Sequence, residues 1–339
     1  MREYHMNSRH KIYTIPAGLY KVMSRSDLFS GMMISKLLFL VSRINYFTVK
    51  HSMVHNLSQR IGLSNKISCH EDIDLLPPIV VIAPIVSKDF HLISLFLERI
   101  RKHSLNEISQ IYLVTSKDDF STLRDLVMGS EKTEVLLEDE VVPTRVISLI
   151  NQLTGHMKGW VLQMAIKFSA ALNSNEEFNL VIDPDTILVS DNMWVTKDLK
   201  TAIFPTYHSS KLNSRIYQQF PALNIPSERT ECFVSHMMIW RKSIIESMFL
   251  SILGSSQSID FRTDQFKEQA LLNLFEFGTE VVDWQLYADY ALSNYSDCVA
   301  RQKWSNLAVY NTMADEPKEW VAKHEGKFLS LSFHTHLLL

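Results

Sequence analysis

The chain has 339 residues and a formal net charge of −3, with 46% hydrophobic and 21% charged residues. This composition is that of a globular protein and excludes an intrinsically disordered chain. Glycine is scarce at 9 residues, and neither G-x-G-x-x-G nor G-x-x-x-x-G-K occurs, so the common dinucleotide-binding and P-loop signatures are absent. The three cysteines are far apart and form no C-x-x-C pair, which favours a reducing, cytoplasmic setting.

The N-terminal part of the chain is basic. Before Glu71, ten lysines and arginines stand against two acidic residues. Residues 29–47 combine an apolar stripe with Lys36 and Arg43, but the continuous apolar run is too short to span a bilayer. Two interpretations stay open: a basic amphipathic helix that contacts an anionic membrane surface through residues 1–70, or a helix packed on the main domain. Both predict a helical N-terminal extension over residues 1–75.

An acidic segment ending in two prolines, EDIDLLPP at 71–78, predicts a domain boundary, so the main domain is expected over residues 76–339. Beyond it, apolar β-branched runs alternate with segments of helical periodicity. The predicted strands are 79–86, 110–116, 134–140, 178–183, 201–206, 232–240 and 327–336. The predicted helices are 90–103, 121–129, 158–173, 242–253, 263–277, 283–294 and 318–326. This alternation indicates an α/β fold with a mainly parallel sheet sandwiched by helices.

Polar triplets follow three of the predicted strands: Ser87-Lys88-Asp89, Ser116-Lys117-Asp118 and Asp183-Pro184-Asp185. Ligands of parallel α/β sheets bind beyond the carboxyl ends of the strands. We therefore expect these three triplets to form one polar rim and to line a binding site.

The pair Asp183 and Asp185 interrupts an otherwise apolar run, and it has three interpretations. Strand alternation directs both carboxylates to one side, where they would suit Mg²⁺ or Mn²⁺. A phosphatase or phosphotransferase of the haloacid dehalogenase type would use Asp183 as nucleophile, but Thr186 stands one place too early for that motif. Two turn aspartates with local hydrogen bonds are the structural interpretation.

Five segments occur in an order that resembles a known family: APIVSKDF, GWVLQMAIKFSAA, LVIDPDTILV, FVSHMMIWRKSIIESMF and VVDWQLYADY. The sequence is similar to the DUF6492 family, a bacterial family of proposed glycosyltransferases with the GT-A (Rossmann-like) fold. The resemblance runs from about Ile79 to the C-terminus and leaves out the basic N-terminal part. It implies a glycosyltransferase that uses a divalent metal, Mn²⁺ or Mg²⁺, and a nucleotide-sugar donor.

The resemblance also implies partners and a location. The acceptor would be a glycan or a lipid-linked sugar in cell-surface polysaccharide synthesis, and no nucleic-acid partner is expected. A cytoplasmic protein, peripheral at the inner face of the membrane, fits this setting and the basic N-terminal part. A non-catalytic protein that binds sugar nucleotides, or a scaffold, is the alternative from a different class.

Residue by residue, the resemblance implies these roles. Asp183, Asp185 and His334 would bind the metal, with His336 as the alternative histidine. The donor nucleotide and its diphosphate would contact Ser87, Lys88, Asp89, Gln163, Lys167 and Asp183. Substrate contacts fall to Trp160, His236 and Tyr287, and Asp283 is the candidate general base, with Asp289 second. Each also has a structural alternative, such as a core histidine for His236 or a helix cap for Asp283.

Overall fold

The structure, a computed structural model, describes residues 75–206, 213–226, 231–254, 263–277, 280–310 and 316–334. All of them belong to one compact unit. The predicted basic extension up to residue 74 and His336 lie outside the described residues, and the boundary at 75/76 stays a prediction. Within the described ranges, no helix has the length and apolar character needed to cross a membrane.

The strands, in chain order, are β1 Ile79–Pro84, β2 Ile108–Thr115, β3 Thr133–Leu137, β4 Phe178–Ile182, β5 Thr186–Leu188, β6 Thr201–Ile203, β7 Met237–Arg241, β8 Val299–Arg301, β9 Asn306–Tyr310 and β10 Ser330–His334. The α-helices are α1 Ile93–His103, α2 Lys117–Leu126, α3 Glu138–Val141, α4 Thr144–Ile150, α5 His156–Asn173, α6 Ser214–Gln219, α7 Lys242–Leu253, α8 Asp264–Phe275, α9 Asp283–Asn294 and α10 Pro317–His324. Short 3₁₀ helices cover Ser87–Leu92, Pro221–Leu223 and Ser296–Cys298.

The main sheet has the strand order β3-β2-β1-β4-β7. Its first four strands are parallel, and β7 runs antiparallel to β4. Two smaller sheets have the orders β5-β10-β9 and β6-β8. The predicted α/β class with a mainly parallel sheet is therefore confirmed.

Strand β1 shows why helices cover both faces of the sheet. Val80 and Ile82 pack into a core cluster that includes residues of α5, α7 and α9. The intervening residues Ile79, Val81 and Ala83 pack into a second cluster with α1 and the β5-β10-β9 sheet. A parallel strand that is apolar at every position needs cover on both faces, and these two clusters supply it.

The order of the strands creates a crevice beside β1. The chain builds β1, β2 and β3 outward in one direction and then returns through α5 to place β4 on the other side of β1. Such a reversal is a topological switch point, and the carboxyl ends of the strands that flank it form a crevice where ligands bind. Asp89 follows β1 and Asp183 follows β4, so both lie at this crevice.

Several predicted elements differ from the structure. The strand predicted at 134–140 ends at Leu137, because Glu140 begins a helical turn by accepting a hydrogen bond from the Leu137 N–H at 3.2 Å. The strand predicted at 232–240 begins only at Met237, because His236 has a left-handed φ of 62° that a strand does not accommodate. Six of the strands and α-helices had no predicted counterpart: α3, α4, α6, β5, β8 and β9.

Strand β10 joins the far end of the described chain to the residues behind Asp183-Pro184-Asp185. It pairs antiparallel with β5 and parallel with β9. The Phe333 N–H donates to the Asp185 carbonyl at 2.8 Å, and the Ser332 and Thr186 hydroxyls are 3.2 Å apart. The backbone that carries Asp185 is thereby held by residues almost 150 positions later in the sequence.

Candidate active site

The carboxyl-end rim of the sheet brings together three of the predicted site segments. Asp89 lies in the 3₁₀ helix directly after β1, and Asp183 and Asp185 follow β4. Because β7 is antiparallel, its first residue pairs with Ile182, so His236 reaches the same rim. The Asp183 N–H donates to the His236 carbonyl at 2.9 Å, which joins the two strand ends by a backbone hydrogen bond.

Lys167 is the buried positive partner of two carboxylates. Its Nζ lies 3.0 Å from Asp183 Oδ1 and 3.3 Å from Asp283 Oδ2, and its side chain is only 3% exposed. The ammonium also lies 4.2 Å from the ring centroid of Trp284, a cation–π contact. Burial alone would lower the pKa of Lys167, but the charges of Asp183 and Asp283 outweigh it and raise that pKa. Lys167 therefore stays charged inside the protein.

Asp183 has a cation on each of its oxygens. Besides Lys167 at Oδ1, it has the His236 Nδ1 at 3.2 Å from Oδ2. Burial works to raise the pKa of Asp183, but Lys167 and His236 together hold it well below its usual range. In return, burial works to lower the pKa of His236, and its hydrogen bond to Asp183 and the charges of Asp183 and Asp185 raise it. Asp183 is thus an ionised carboxylate whose charge is already matched within the protein.

Asp185 and Asp89 are in the opposite situation. Burial and the neighbouring charge of Asp183 raise the pKa of Asp185 to about 7, and the charge of Asp89 adds to this effect. Burial also raises the pKa of Asp89, which is 4% exposed and whose ion-pair partner within the described ranges is Lys88, 3.9 Å from its Oδ2. In both residues, burial and like charge outweigh the attraction of nearby cations. Among the described residues, these two carboxyl groups are therefore the ones at the rim whose ionised form is least favoured.

The two candidate bases occupy interior positions. Asp283, the first residue of α9, is 1% exposed, and its carboxylate is ion-paired with Lys167. Asp289 is equally buried and accepts hydrogen bonds from the Tyr217 hydroxyl at 2.6 Å and the Gln285 amide at 2.8 Å. The structure therefore brings Asp283 to the site through Lys167 and places Asp289 in a separate polar contact of the core.

Tyr287 lies at the other end of the sheet. Its hydroxyl accepts a hydrogen bond from the Arg241 N–H at 2.7 Å, and Arg241 pairs with Phe178 at the beginning of β4. Asp183 follows the opposite end of that strand. The structure does not bring Tyr287 to the other predicted substrate residues, because the side chain is buried against Trp240 in the core.

Helix α5 extends beyond the rim of the sheet with its N-terminal part. It leads directly into β4 and so runs in the opposite direction, with Lys167 beside Asp183. Trp160 precedes Lys167 by seven residues, which is about 10 Å along a helix. Trp160 is exposed and Gln163 is half-buried, and both share the face of Lys167. Of the three residues predicted on this helix, Lys167 is buried at the rim, and Gln163 and Trp160 lie above it.

The remaining predicted residues border the same rim. The Ser87 N–H donates to Asp119 Oδ2 at 3.3 Å, which links the ends of β1 and β2, and Lys88 is 48% exposed. The backbone of His334 directly follows Phe333, the residue bonded to the Asp185 carbonyl. The side chain of His334 lies outside what the structure describes, so its role as a metal ligand stays a prediction.

A divalent cation fits the donor chemistry of this rim. Among the described residues, no three or more His, Cys, Asp or Glu side chains are grouped as a metal site. Mg²⁺ and Mn²⁺, however, need only one or two protein carboxylates when phosphate and water complete their shell. Asp89 Oδ1 is buried with no hydrogen-bond partner in the described part of the chain, which is a position that a cation would satisfy.

The sequence profile of the "Family of unknown function (DUF6492)" matches residues 72–330, well over half of the chain. The chain belongs to this family. The predicted family resemblance is confirmed to that extent. A search of the curated proteins gave no match.

Solved glycosyltransferase structures share part of the chain path of this DUF6492 protein. Mouse xyloside xylosyltransferase 1, in its apo form, has 9% sequence identity and a TM-score of 0.40, with 76% of this chain and 97% of that chain covered. The Saccharomyces cerevisiae mannosyltransferase Ktr4p has 9% identity, with 85% and 84% covered, and TM-scores of 0.42 alone and 0.40 in complex with GDP. Similarities this low do not establish a shared activity.

His236 gives a test of the backbone geometry at the rim. A left-handed φ of 62° costs about 1–2 kcal/mol for a residue with a Cβ, and glycine avoids that cost. Both His236→Gly and His236→Ala remove the imidazole from Asp183. We expect the glycine variant of the DUF6492 protein to be more stable than the alanine variant by about 1 kcal/mol in urea unfolding. An alanine variant as stable as the glycine variant would contradict the strained backbone.

Sequence reasoning missed one member of this site. Trp284 supplies the aromatic face over which the Lys167 ammonium lies. In the sequence, Trp284 is one of several apolar residues around Asp283, and nothing in that pattern separates it from ordinary core residues.

Proposed function

We propose that this DUF6492 protein is a metal-dependent glycosyltransferase that uses a nucleotide-sugar donor. The observation that best supports the proposal is the group of buried carboxyl groups at the switch point of the sheet, where Asp89 and Asp185, both with raised pKa values, follow the strands that flank the ion-paired Asp183. A nucleoside diphosphate that binds together with a divalent cation suits this rim, because the cation neutralises carboxylates and diphosphate at once.

The residues of the rim have different roles in binding a diphosphate. A bound Mn²⁺ or Mg²⁺ would neutralise the negative charge that develops on the departing nucleoside diphosphate. Asp185 and Asp89 offer oxygen ligands for that cation. His236, which is 28% exposed, and the exposed Lys88 are cations that can reach the phosphates. Lys167 is committed to Asp183 and Asp283, so it acts by keeping Asp183 ionised and in place.

The position of Asp283 favours a role in fixing Lys167 over the removal of a proton from an acceptor hydroxyl. A general base must lie within hydrogen-bond distance of the proton that it takes. Asp283 instead points its charge at Lys167, 3.3 Å away, and is almost fully buried. In retaining glycosyltransfer the leaving phosphate itself can take that proton, and this route suits the arrangement.

The acceptor, the pathway and the location are proposed from the family resemblance and the basic N-terminal part. We propose a glycan or lipid-linked acceptor in cell-surface polysaccharide synthesis of a bacterium. The ten basic residues before Glu71 would suit a protein held at the inner face of the membrane through residues 1–70. Trp160, exposed above the rim on α5, is a surface on which a sugar ring can pack.

The phosphatase alternative is less well supported by the geometry. A nucleophilic aspartate needs an oxygen that is free to attack phosphorus. Asp183 has Lys167 on one oxygen and His236 on the other, 3.0 and 3.2 Å away. Both contacts stabilise the carboxylate and lower its nucleophilicity.

Isothermal titration with a panel of nucleoside diphosphates, each with and without Mn²⁺, tests the proposal. We expect at least one of them to bind only when Mn²⁺ is present, and Asp185→Asn to weaken that binding by about tenfold or more. Asp125→Asn is the matched control, because Asp125 is exposed near the end of α2, away from the rim. This control should bind as the wild type does.

The other outcomes distinguish the alternatives. Release of the nucleoside diphosphate from a nucleotide-sugar, lost in Asp185→Asn, supports a transferase. Phosphate release from a simple phosphomonoester that disappears in Asp183→Asn would favour the phosphatase. Metal-dependent binding without turnover of any donor favours the non-catalytic protein, and absence of any metal-dependent binding contradicts the proposal.

A further inference from the structure

We infer that Arg99, a buried residue of α1, is a positioning residue that holds the two sides of the rim at a fixed distance from each other. This inference rests on the proposed function and deepens it, because a diphosphate on the rim would contact residues of both sides. Arg99 is not one of the predicted site residues, and it lies ten positions after Asp89. It would act through the backbone behind Asp185 and not through contact with the ligand.

The guanidinium of Arg99 contacts two segments of the chain at once. Its Nε donates to the Leu188 carbonyl at 3.2 Å, and its Nη2 lies 3.2 Å from Glu325 Oε1. Leu188 is the last residue of β5, and Glu325 directly follows α10, five residues before β10 begins. The side chain of Arg99 is only 5% exposed. Two contacts made by one buried, planar group fix a geometry that a single point charge does not fix.

Other contacts join the same two segments. The Lys102 Nζ lies 2.5 Å from the same Glu325 oxygen. Lys102 and Arg99 lower the pKa of Glu325 to about 2, so its carboxylate is charged near neutral pH. The Val189 N–H, one residue after β5, donates to the Leu329 carbonyl, one residue before β10, at 2.9 Å. The chain after β5 and the chain before β10 are therefore joined to each other, and Arg99 joins both to α1.

Helix α1 belongs to the side of the rim that follows β1. It continues directly from the 3₁₀ helix Ser87–Leu92, which carries the first of the predicted polar triplets. The other side carries the third triplet, since β5 begins directly after Asp185, and the Phe333 N–H of β10 donates to the Asp185 carbonyl at 2.8 Å. Arg99 is therefore a side-chain link between the two sides, behind the crevice.

The spacing of the two sides matters for the proposed function. Of the two cations proposed to reach the phosphates, Lys88 follows β1, and His236 directly precedes β7, the neighbour of β4. The side chains of a binding site must be held within about 0.5 Å of their productive positions by supporting contacts. A displacement of about 1 Å between the two sides would therefore weaken the binding of a diphosphate that contacts both.

Arg99→Lys tests the inference, because lysine keeps the positive charge but lacks the planar fork that reaches both acceptors. Titration of the full chain with UDP and with GDP, each with Mn²⁺, is expected to give an affinity lower by about tenfold. Hydrogen exchange followed by mass spectrometry is expected to be faster by about tenfold in peptides covering residues 183–189 and 329–334. Peptides from β1 and β2 should exchange as in the wild type, because these strands bond to each other within the main sheet.

Arg101→Lys is the matched control on the same helix. The Arg101 guanidinium donates to Ser130 Oγ and Thr133 Oγ1 at the beginning of β3, which is the end of the sheet opposite the rim. This variant should keep the affinity and the exchange rates of both peptides within about twofold of the wild type. A residue that only stabilises the fold would speed exchange in all peptides alike and leave the affinity of the folded protein unchanged. Circular dichroism verifies that each variant is folded.

Glu325→Gln decides the matter if Arg99→Lys fails to fold, because Glu325 is partly exposed and its replacement leaves the bond from Arg99 to Leu188 in place. It is expected to lower the affinity and to speed exchange in the same two peptides by about threefold. Exchange in these peptides within about twofold of the wild type, in a folded Arg99→Lys, would overturn the inference. Exchange that rises equally in β1 and β2 would overturn it as well.

Two further outcomes separate the inference from the proposed function. If Arg99→Lys speeds exchange in the two peptides but the wild type binds no nucleoside diphosphate with Mn²⁺, only the proposed function fails. If the wild type binds UDP or GDP only with Mn²⁺ and Arg99→Lys binds it equally well, only the inference fails.

Discussion

Replacing Lys167 with methionine is expected to lower the free energy of unfolding by about 3–5 kcal/mol. Methionine fills a similar volume but removes the ammonium that lies between Asp183 and Asp283. Both carboxylates are then buried without their shared cation, and the contact with the Trp284 ring is lost as well. Removing one partner of a buried ion pair is far more destabilising than replacing both partners by apolar residues of similar volume.

Urea unfolding at pH 8 measures this effect. Lys158→Met is the matched control, because Lys158 is an exposed lysine on the same helix, and its unfolding free energy should change by about 0.5 kcal/mol or less. A variant that replaces Lys167 with methionine and both Asp183 and Asp283 with asparagine removes all three charges and should regain part of the loss. If Lys167→Met unfolds within about 1 kcal/mol of the wild type, the buried ion pairs contribute little to stability.

Asp185→Asn is expected to make the metal-free protein more stable at pH 8 by a few kcal/mol, while it reduces the stabilisation that a bound metal provides. The folded-state pKa of Asp185 is about 7, raised from its ordinary value of 3.8 by burial and by Asp183. Between these two values the folded state holds a proton that the unfolded chain has released. The stability of the wild type therefore falls as pH rises from about 4 to about 7, and asparagine removes this decline.

Thermal and urea unfolding at pH 5 and pH 8 measure this difference, with Asp125→Asn as the control. At pH 8, Mn²⁺ should raise the melting temperature of the wild type more than that of Asp185→Asn, because a ligand stabilises the folded state in proportion to how tightly it binds it. Unfolding free energies of Asp185→Asn and wild type that differ equally at both pH values would refute the raised pKa. That result would mean that burial does not destabilise the ionised form of Asp185.

The alternation of strands and helices and the position of the rim were predictable from the sequence. Parallel strands need apolar residues at every position, and a run such as IVVIAPIV displays that pattern directly. Helices α7 and α9 cover the predicted ranges 242–253 and 283–294. The polar residues after β1, β2 and β4 had to meet, because parallel strands end at the same edge.

The charge balance within the rim was not predictable in the same way. Lys167 and Asp283 meet across 116 positions of sequence, and no local pattern records that contact. The helical periodicity of residues 283–294 does not say which buried polar residue reaches which end of the sheet. Asp283 therefore reaches Lys167, whereas Tyr287, four residues later, bonds to Arg241 at the far edge. The left-handed backbone of His236 was not predictable either, since only a few per cent of non-glycine residues adopt it, even though histidine does so more often than most.

The pairing of β10 with β5 has a consequence for the making of this protein. A ribosome adds residues in order, so Asp185 is synthesised long before Phe333, the residue that holds its carbonyl. A nascent chain that ends before Ser330 has the complete β3-β2-β1-β4-β7 sheet but lacks the strand behind the rim. We infer that the chain acquires its ligand-binding geometry only after Ser330–His334 has been synthesised, when the main sheet has already been able to form.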